Sequence, residues 1–229
     1  MCNRFNLIVP KRKLQRFAEN DTFPHFFQPY YHQLIEGFEM KGRWRDDFFK
    51  NQHPITLELG CGKGEFTTGL AARYPERNFI GIDIKGARMW RGAKTSLEAG
   101  MKNVAFVRGS AEHLNFIFDN GEVDELWITF PDPLPNKPKT KKRLTSPLFL
   151  ERYRQIAKPD ATIHLKTDND GFFEYSLEVI HEQQLPLLAC TFDLDNEAGL
   201  EEVAAIRTYY EAMFRAKGAI IKYLKFKLK

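Results

Sequence analysis

At 229 residues with 43% apolar and 14% aromatic side chains, the chain can bury one sizeable core and fits a single substantial domain with a short extension. No run approaches the roughly 18 consecutive apolar residues of a membrane span, and the basic N-terminus has no apolar stretch of the kind that directs secretion. Three scattered cysteines offer neither a disulfide framework nor zinc-ligand spacing, so a cytoplasmic protein without a metal is expected.

Net charge is only +4, yet 14 of the 34 lysines and arginines crowd into residues 1–16, 137–143 and 222–229. That leaves 20 against 30 acids elsewhere. An acidic body with basic patches points to a polyanionic partner.

Residues 1–50 mix basic and aromatic side chains, among them Phe17, Phe23, Tyr30, Tyr31 and Trp44, while Pro10, Pro24 and Pro29 interrupt any long helix. They are expected to form an extension packed on the main domain, with its first ten or more residues mobile. The main domain is expected to span residues 51–229. There ITLEL (55–59) reads as a buried strand, followed by GCGKG and a helix from Glu65 to Tyr74. NFIGIDI (78–84) is a second strand with a helix over 86–99 behind it, and NVAFVRG (103–109) is a third. VDELWITF (123–130) is a fourth, leading through a Pro/Lys loop to a helix near 147–157. ATIHLKT (161–167) and LPLLACTFDL (185–194) are the fifth and sixth, with a helix over 171–183 between them. Finally Leu224, Phe226 and Leu228 alternate with Lys225, Lys227 and Lys229, the period of a seventh strand with one wet face. Strands alternating with helices predict an α/β fold, a Rossmann-like, mostly parallel sheet with helices on both faces.

The first turn, Gly60-Cys61-Gly62-Lys63-Gly64, follows Glu58. Glycine there lets the backbone turn sharply and approach a ligand without Cβ interference. Asp83 ends the second strand 23 residues after Gly60, where a carboxylate accepts ribose hydroxyls. Dinucleotide folds space their glycines as G-x-G-x-x-G around a pyrophosphate. Here the spacing is G-x-G-x-G with Glu65 next, an acid that would repel a pyrophosphate. An acidic pocket suits S-adenosylmethionine, which carries a sulfonium cation and no phosphate.

The fourth strand ends in Phe130-Pro131-Asp132-Pro133. Ligands of open α/β sheets sit beyond the carboxyl ends of the strands, so Asp132 is expected at the reactive end of the cofactor. The basic loop behind it, with Lys139, Lys141, Lys142 and Arg143 as candidate RNA contacts, would grip phosphates beside the methyl donor. His164 falls inside the fifth strand and reads as structural, whereas Asp168 at its end faces the cleft. Thr208-Tyr209-Tyr210-Glu211 reads as a helix start, Thr208 capping and Glu211 completing a capping box.

The segments ELGCGKGEF, FIGIDIK, FPDPLPNKPKTKKRL, HLKTDNDGFFEYSL and TYYEAMF occur in this order from about residue 57 to 214. Together they resemble the tRNA (guanine-N7-)-methyltransferase family. The resemblance implies a class I methyltransferase fold, seven strands with an antiparallel C-terminal one, that methylates guanine 46 of the tRNA variable loop. It places Glu58, Gly60, Gly62, Asp83, Ser110 and Asp132 around the cofactor, with Asp132 also catalytic. It assigns Asn136, Lys137, Asp168, Thr208, Tyr210 and Glu211 to the substrate guanine or its ribose.

Three positions depart from the family pattern. Ser110 stands where an aspartate usually holds adenine, Leu134 replaces a tryptophan, and Asn136 replaces a lysine, with Lys137 adjacent. A methyltransferase acting on another RNA or a small molecule is the alternative. A non-catalytic RNA-binding subunit and an oxidoreductase are disfavoured by the carboxylates and the glycine spacing. A monomer is expected ahead of a homodimer.

Overall fold

The computed structural model describes residues 11–229; the expectation that the first ten residues are mobile lies outside the described residues. The chain enters through α1 (Lys11–Asn20), the two-residue strand β1 (Phe26–Phe27), α2 (Tyr31–Gly37) and a π-turn over Trp44–Phe49. Then β2 (Ile55–Leu59), α3 (Glu65–Arg73), β3 (Asn78–Asp83), α4 (Gly86–Glu98) and β4 (Val104–Arg108) alternate. A 3₁₀ turn (Ala111–His113) and the short α5 (Leu114–Ile117) lead to β5 (Val123–Thr129). The Lys/Pro loop forms one 3₁₀ turn (Lys137–Lys142) before α6 (Pro147–Arg154), β6 (Ala157–Thr167), α7 (Asp170–Glu182) and β7 (Leu187–Thr191). The last elements are α8 (Glu201–Ala205), α9 (Tyr209–Arg215) and β8 (Lys222–Lys227).

The strands make one sheet in the order β1-β4-β3-β2-β5-β6-β8-β7. All described pairings are parallel except those of β8, which runs antiparallel to both neighbours. The expected seven strands become eight because Phe26 and Phe27 pair with Phe106 and Val107 and lengthen the β4 edge. The expected alternation of the last strand is present, with Leu224, Phe226 and Leu228 buried and Lys229 exposed. Strand β8 is flanked on both sides, Tyr223 is buried, and Lys225 and Lys227 are half-buried.

Local chemistry sets the ends of the helices. Asn169 caps α7 by accepting from Phe172 N at 2.8 Å, and Pro147 occupies the first turn of α6, where no N–H is needed.

Two apolar layers cover the sheet. One, under α5, α6 and α7, includes Phe118, Leu150, Phe172 and Phe173; the other, under α3 and α4, includes Phe66, Met89, Phe106 and Trp127. The first layer also takes in Trp44, fully buried, whose indole N–H donates to Ile117 O at 3.1 Å. The buried Glu122 carboxylate accepts from Gly42 N and Trp44 N at 2.9 and 3.1 Å. An apolar anchor with satisfied polar groups thus fixes residues 42–49 against the sheet.

The chain runs from β2 outward to β3 and β4, then returns to β5 on the other side of β2. That reversal leaves a crevice beyond the carboxyl ends of β2 and β5, where open α/β sheets take their ligands. Among the described residues no helix is long and apolar enough to cross a membrane, and no group of His, Cys, Asp or Glu could hold a metal ion.

Candidate active site

The crevice is a cleft of about 460 Å³. Its floor is the glycine turn. Gly60 N and Cys61 N both donate to Ile82 O, at 2.8 and 3.0 Å, which ties the turn to β3. Gly60 and Gly62 have φ of 71° and 57°, a region that costs an L-residue about 1–2 kcal/mol. A Cβ at Gly60 would meet nothing, so this backbone stands open to the cleft. Gly64 has a different reason to be glycine, since a Cβ there would lie 2.6 Å from the Phe106 ring.

Asp83 closes the turn from the next strand, accepting from Gly62 N at 2.9 Å and from Lys85 N at 2.7 Å. One bond to each oxygen leaves about two of its acceptor sites for hydroxyl groups.

Glu58 lies below the turn, 2% exposed, and its carboxylate accepts hydrogen bonds from the hydroxyls of Thr67 and Thr129. Burial outweighs these bonds and raises its pKa from 4.5 to about 7. A cation entering the cleft would favour the ionised form. Cofactor affinity is therefore expected to rise with pH up to about 7 and level off above it, with a proton released on binding at pH below 7. Calorimetry in buffers of different ionisation enthalpy would measure that proton, and Glu58→Gln should abolish it. For folding itself the raised pKa has the opposite consequence. The stability linked to Glu58 is complete below pH 4.5 and lost as pH rises through about 7.

Asp132 lines the cleft and is exposed. The residues on either side of the Pro-Asp-Pro turn, Phe130 and Leu134, have φ of 49° and 44°. Non-glycine residues held there store backbone strain, a pattern common at functional sites. Phe130 is held in place because its N–H donates to Lys166 O at 2.8 Å and its ring packs on Phe214 at 5.8 Å.

Thr208 and Tyr210 form the opposite wall. The segment carrying them is latched to the glycine turn: Tyr209 N donates to Glu65 at 2.6 Å, and the Lys63 ammonium sits 3.2 Å above the Tyr209 ring. Thr208 caps α9 by accepting from Glu211 N at 3.1 Å, but the reciprocal half of the expected box is missing. Glu211 is instead fully buried, and its carboxylate accepts from Lys166 Nζ at 2.9 Å and Arg215 at 2.7 Å. Both Glu211 oxygens are thus bonded inside the protein, and this geometry adds no support to the expected contact of Glu211 with substrate. Lys166 Nζ also donates to Val203 O and Ile206 O, each at 3.2 Å, so this buried ammonium ties the strap to β6. Burial lowers the pKa of Lys166 and raises that of Glu211, while each charge works against the other's shift.

The structure brings Glu58, Gly60, Gly62, Asp83, Ser110, Asp132, Lys142, Thr208 and Tyr210 onto the cleft wall. Asn136, Lys139, Lys141 and Asp168 do not line it, and the side chain of Lys137 lies outside the described residues. Arg143, a candidate RNA contact, is also engaged inside the loop. Its Nε donates to Pro133 O at 2.9 Å and its guanidinium stacks 4.4 Å from the Tyr175 ring, which braces the loop from within. His164 is buried between Trp127, stacked at 4.0 Å, and Tyr223, whose hydroxyl is 2.7 Å from Nδ1. Burial holds its pKa well below the usual value, so it stays neutral. Sequence reasoning missed Lys63, Lys85 and Arg88, which also line the cleft. Their signal, lysine or arginine within a few residues of the turn and of Asp83, is too common to single out.

Residues 52–224 match a family model described as "Putative methyltransferase". A relative from Christiangramia forsetii, a tRNA (guanine-N(7)-)-methyltransferase, is 49% identical over 96% of this chain and 99% of its own length. The chain belongs to the tRNA (guanine-N(7)-)-methyltransferase family. A second relative of that name, from Bacteroides thetaiotaomicron, is also 49% identical, over 95% of this chain and 86% of its own. The crystal structure of the 16S rRNA methyltransferase KamB superposes with a TM-score of 0.61 at 18% identity, covering 80% of this chain and 91% of that one. It shares the class I methyltransferase fold. Within this family frame, Ser110 lines the cleft with its hydroxyl accepting from Glu112 N at 3.2 Å. The hydroxyl proton remains available to a ligand in the cleft.

Proposed function

We propose that this enzyme transfers the methyl group of S-adenosylmethionine to N7 of a guanine in tRNA, at position 46 of the variable loop. The observation that carries the reading is full-length similarity to enzymes of that name combined with an acid-lined cleft at the switch point of the sheet. The donor set fits the cofactor. Asp83 has acceptor capacity left for a ribose, Gly60 leaves the turn open, and the buried Glu58 suits a positive group.

The cofactor supplies a methyl group on a positively charged sulfur. Guanine N7 offers a lone pair and carries no proton, so no side chain has to act as a base. The work left to the protein is alignment, which can contribute several kcal/mol. Asp132 would accept from guanine N1–H and the exocyclic amine, with Thr208 and Tyr210 bounding the base from the other wall. Extruding a base from folded RNA costs a few kcal/mol, and phosphate contacts offset it.

The test is incubation with labelled S-adenosylmethionine and unmodified tRNA transcript, then digestion to nucleosides. Labelled 7-methylguanosine is expected, and it should vanish when guanine 46 is replaced by adenine. Label elsewhere would refute the position, and no label in RNA would refute the reading.

A further inference from the structure

The structure describes fourteen arginines, and seven of them have no acid within ion-pair reach. Five of those seven, Arg12, Arg16, Arg88, Arg91 and Arg108, lie on α1, α4 or the end of β4. Sequence separates these groups by some 70 residues or more, but α1 packs along α4, with Asn20 Nδ2 donating to Gly86 O at 3.0 Å and Arg16 reaching Ala87 O at 3.4 Å. Lys13 and Lys85 are likewise exposed with no ion pair among the described residues. The acid on the facing side, Glu19, is already engaged by Trp90 Nε1 at 2.8 Å and Lys94 at 3.3 Å.

Elsewhere on the molecule, arginines such as Arg43, Arg45, Arg77 and Arg154 are neutralised by carboxylates. Here three of the five guanidinium groups rest on aromatic faces instead. Arg16 lies 4.8 Å from the Trp90 ring, Arg108 lies 4.7 Å from Phe17, and Arg88 lies 5.8 Å from Tyr210. A ring face attracts a cation and orients its plane without cancelling the charge. N–H donors then remain for phosphate oxygens, although Arg16 gives one of its own to Ala87 O. The ridge also has a direction, because Lys85 and Arg88 form part of the cleft wall.

We infer that the α1–α4 ridge is the docking surface for the sugar–phosphate backbone of the RNA, and that it leads the strand into the cleft beside Asp83. The inference rests on the tRNA reading above and adds where the polymer lies. It assigns the main electrostatic grip to a surface assembled from two distant segments rather than to the loop at 137–143.

The test compares two triple variants of equal charge loss, Arg12→Gln/Lys13→Gln/Arg91→Gln on the ridge and Lys41→Gln/Lys50→Gln/Lys217→Gln elsewhere. Affinity for unmodified tRNA is measured as a function of KCl, with KM and kcat for methylation and calorimetric binding of S-adenosylmethionine alone. Each phosphate contact contributes about 0.9 or somewhat less to the slope of log K against log salt. The ridge variant should therefore lose about 2 units of slope and raise KM for tRNA about tenfold, with a much smaller change in kcat. The control should match the unmodified protein, and cofactor binding should be the same in all three. Equal behaviour of the two variants would overturn the ridge while leaving the tRNA reading intact. If the unmodified protein neither binds nor methylates tRNA, the tRNA reading falls and the ridge with it.

Discussion

Replacing Asp132 with alanine should lower single-turnover methylation of tRNA by at least about a hundredfold, since positioning by one well-placed group is worth several kcal/mol. Cofactor affinity should stay within a few-fold, because the residues proposed to hold the cofactor, Glu58, Gly60 and Asp83, are untouched. Asp132→Asn should fall between the two, as one carbonyl oxygen still accepts a hydrogen bond while the negative charge is gone. The strained backbone at Phe130 and Leu134 bears on this result. The turn holds its aspartate at a fixed place on the cleft wall, so a side chain of similar length cannot be supplied from a neighbouring position. Full turnover by the alanine variant would remove Asp132 from the reaction.

A second large effect is expected at Lys166. Its ammonium and the Glu211 carboxylate are both fully buried, 2.9 Å apart. Removing one partner of a buried pair leaves an uncompensated charge and typically costs about 3–5 kcal/mol. Lys166→Met should sit at the lower end of that range, because Arg215 still accompanies the other Glu211 oxygen. In a domain of this size the loss corresponds to a drop in Tm of roughly 10 °C. Lys166→Met/Glu211→Leu should recover much of it, since an apolar pair of similar volume often replaces a buried ion pair at little cost. The double-mutant cycle from urea unfolding reads the coupling directly. Additive losses would show that the two charges do not act as a pair. Methylation should not recover with stability in the double variant, because Thr208 and Tyr210 depend on the Lys166 bonds to Val203 O and Ile206 O for their place.

Much of this cleft was legible from residue order. Glu58, the glycine turn, Asp83 and Asp132 each stand at the end of a strand, and strand ends in a parallel sheet converge at one edge. The loop and strap residues take partners that residue order does not reveal. Arg143 belongs to a basic run, and a run of charge signals solvent exposure, yet this guanidinium folds back on Pro133 and Tyr175. Glu211 sits three residues after a capping threonine, and that spacing predicts a local bond. The carboxylate turned away because a buried ammonium is a stronger partner than a backbone N–H already near solvent. The added strand at Phe26–Phe27 was hidden for another reason, since two residues carry no readable period.

By itself, the sequence determined the alternation of strand, turn and helix, the left-handed glycines and the carboxylates at strand ends. These depend on backbone stereochemistry and on periods that repeat within a few residues. Only the tertiary structure decided which charges would be spent inside the protein and which left outside. Lys166 finds Glu211 across 45 residues and Arg16 reaches α4 across 71. Such partners are chosen by the order of the strands and by burial, which makes an unpaired charge inside costly and leaves one at the surface nearly free.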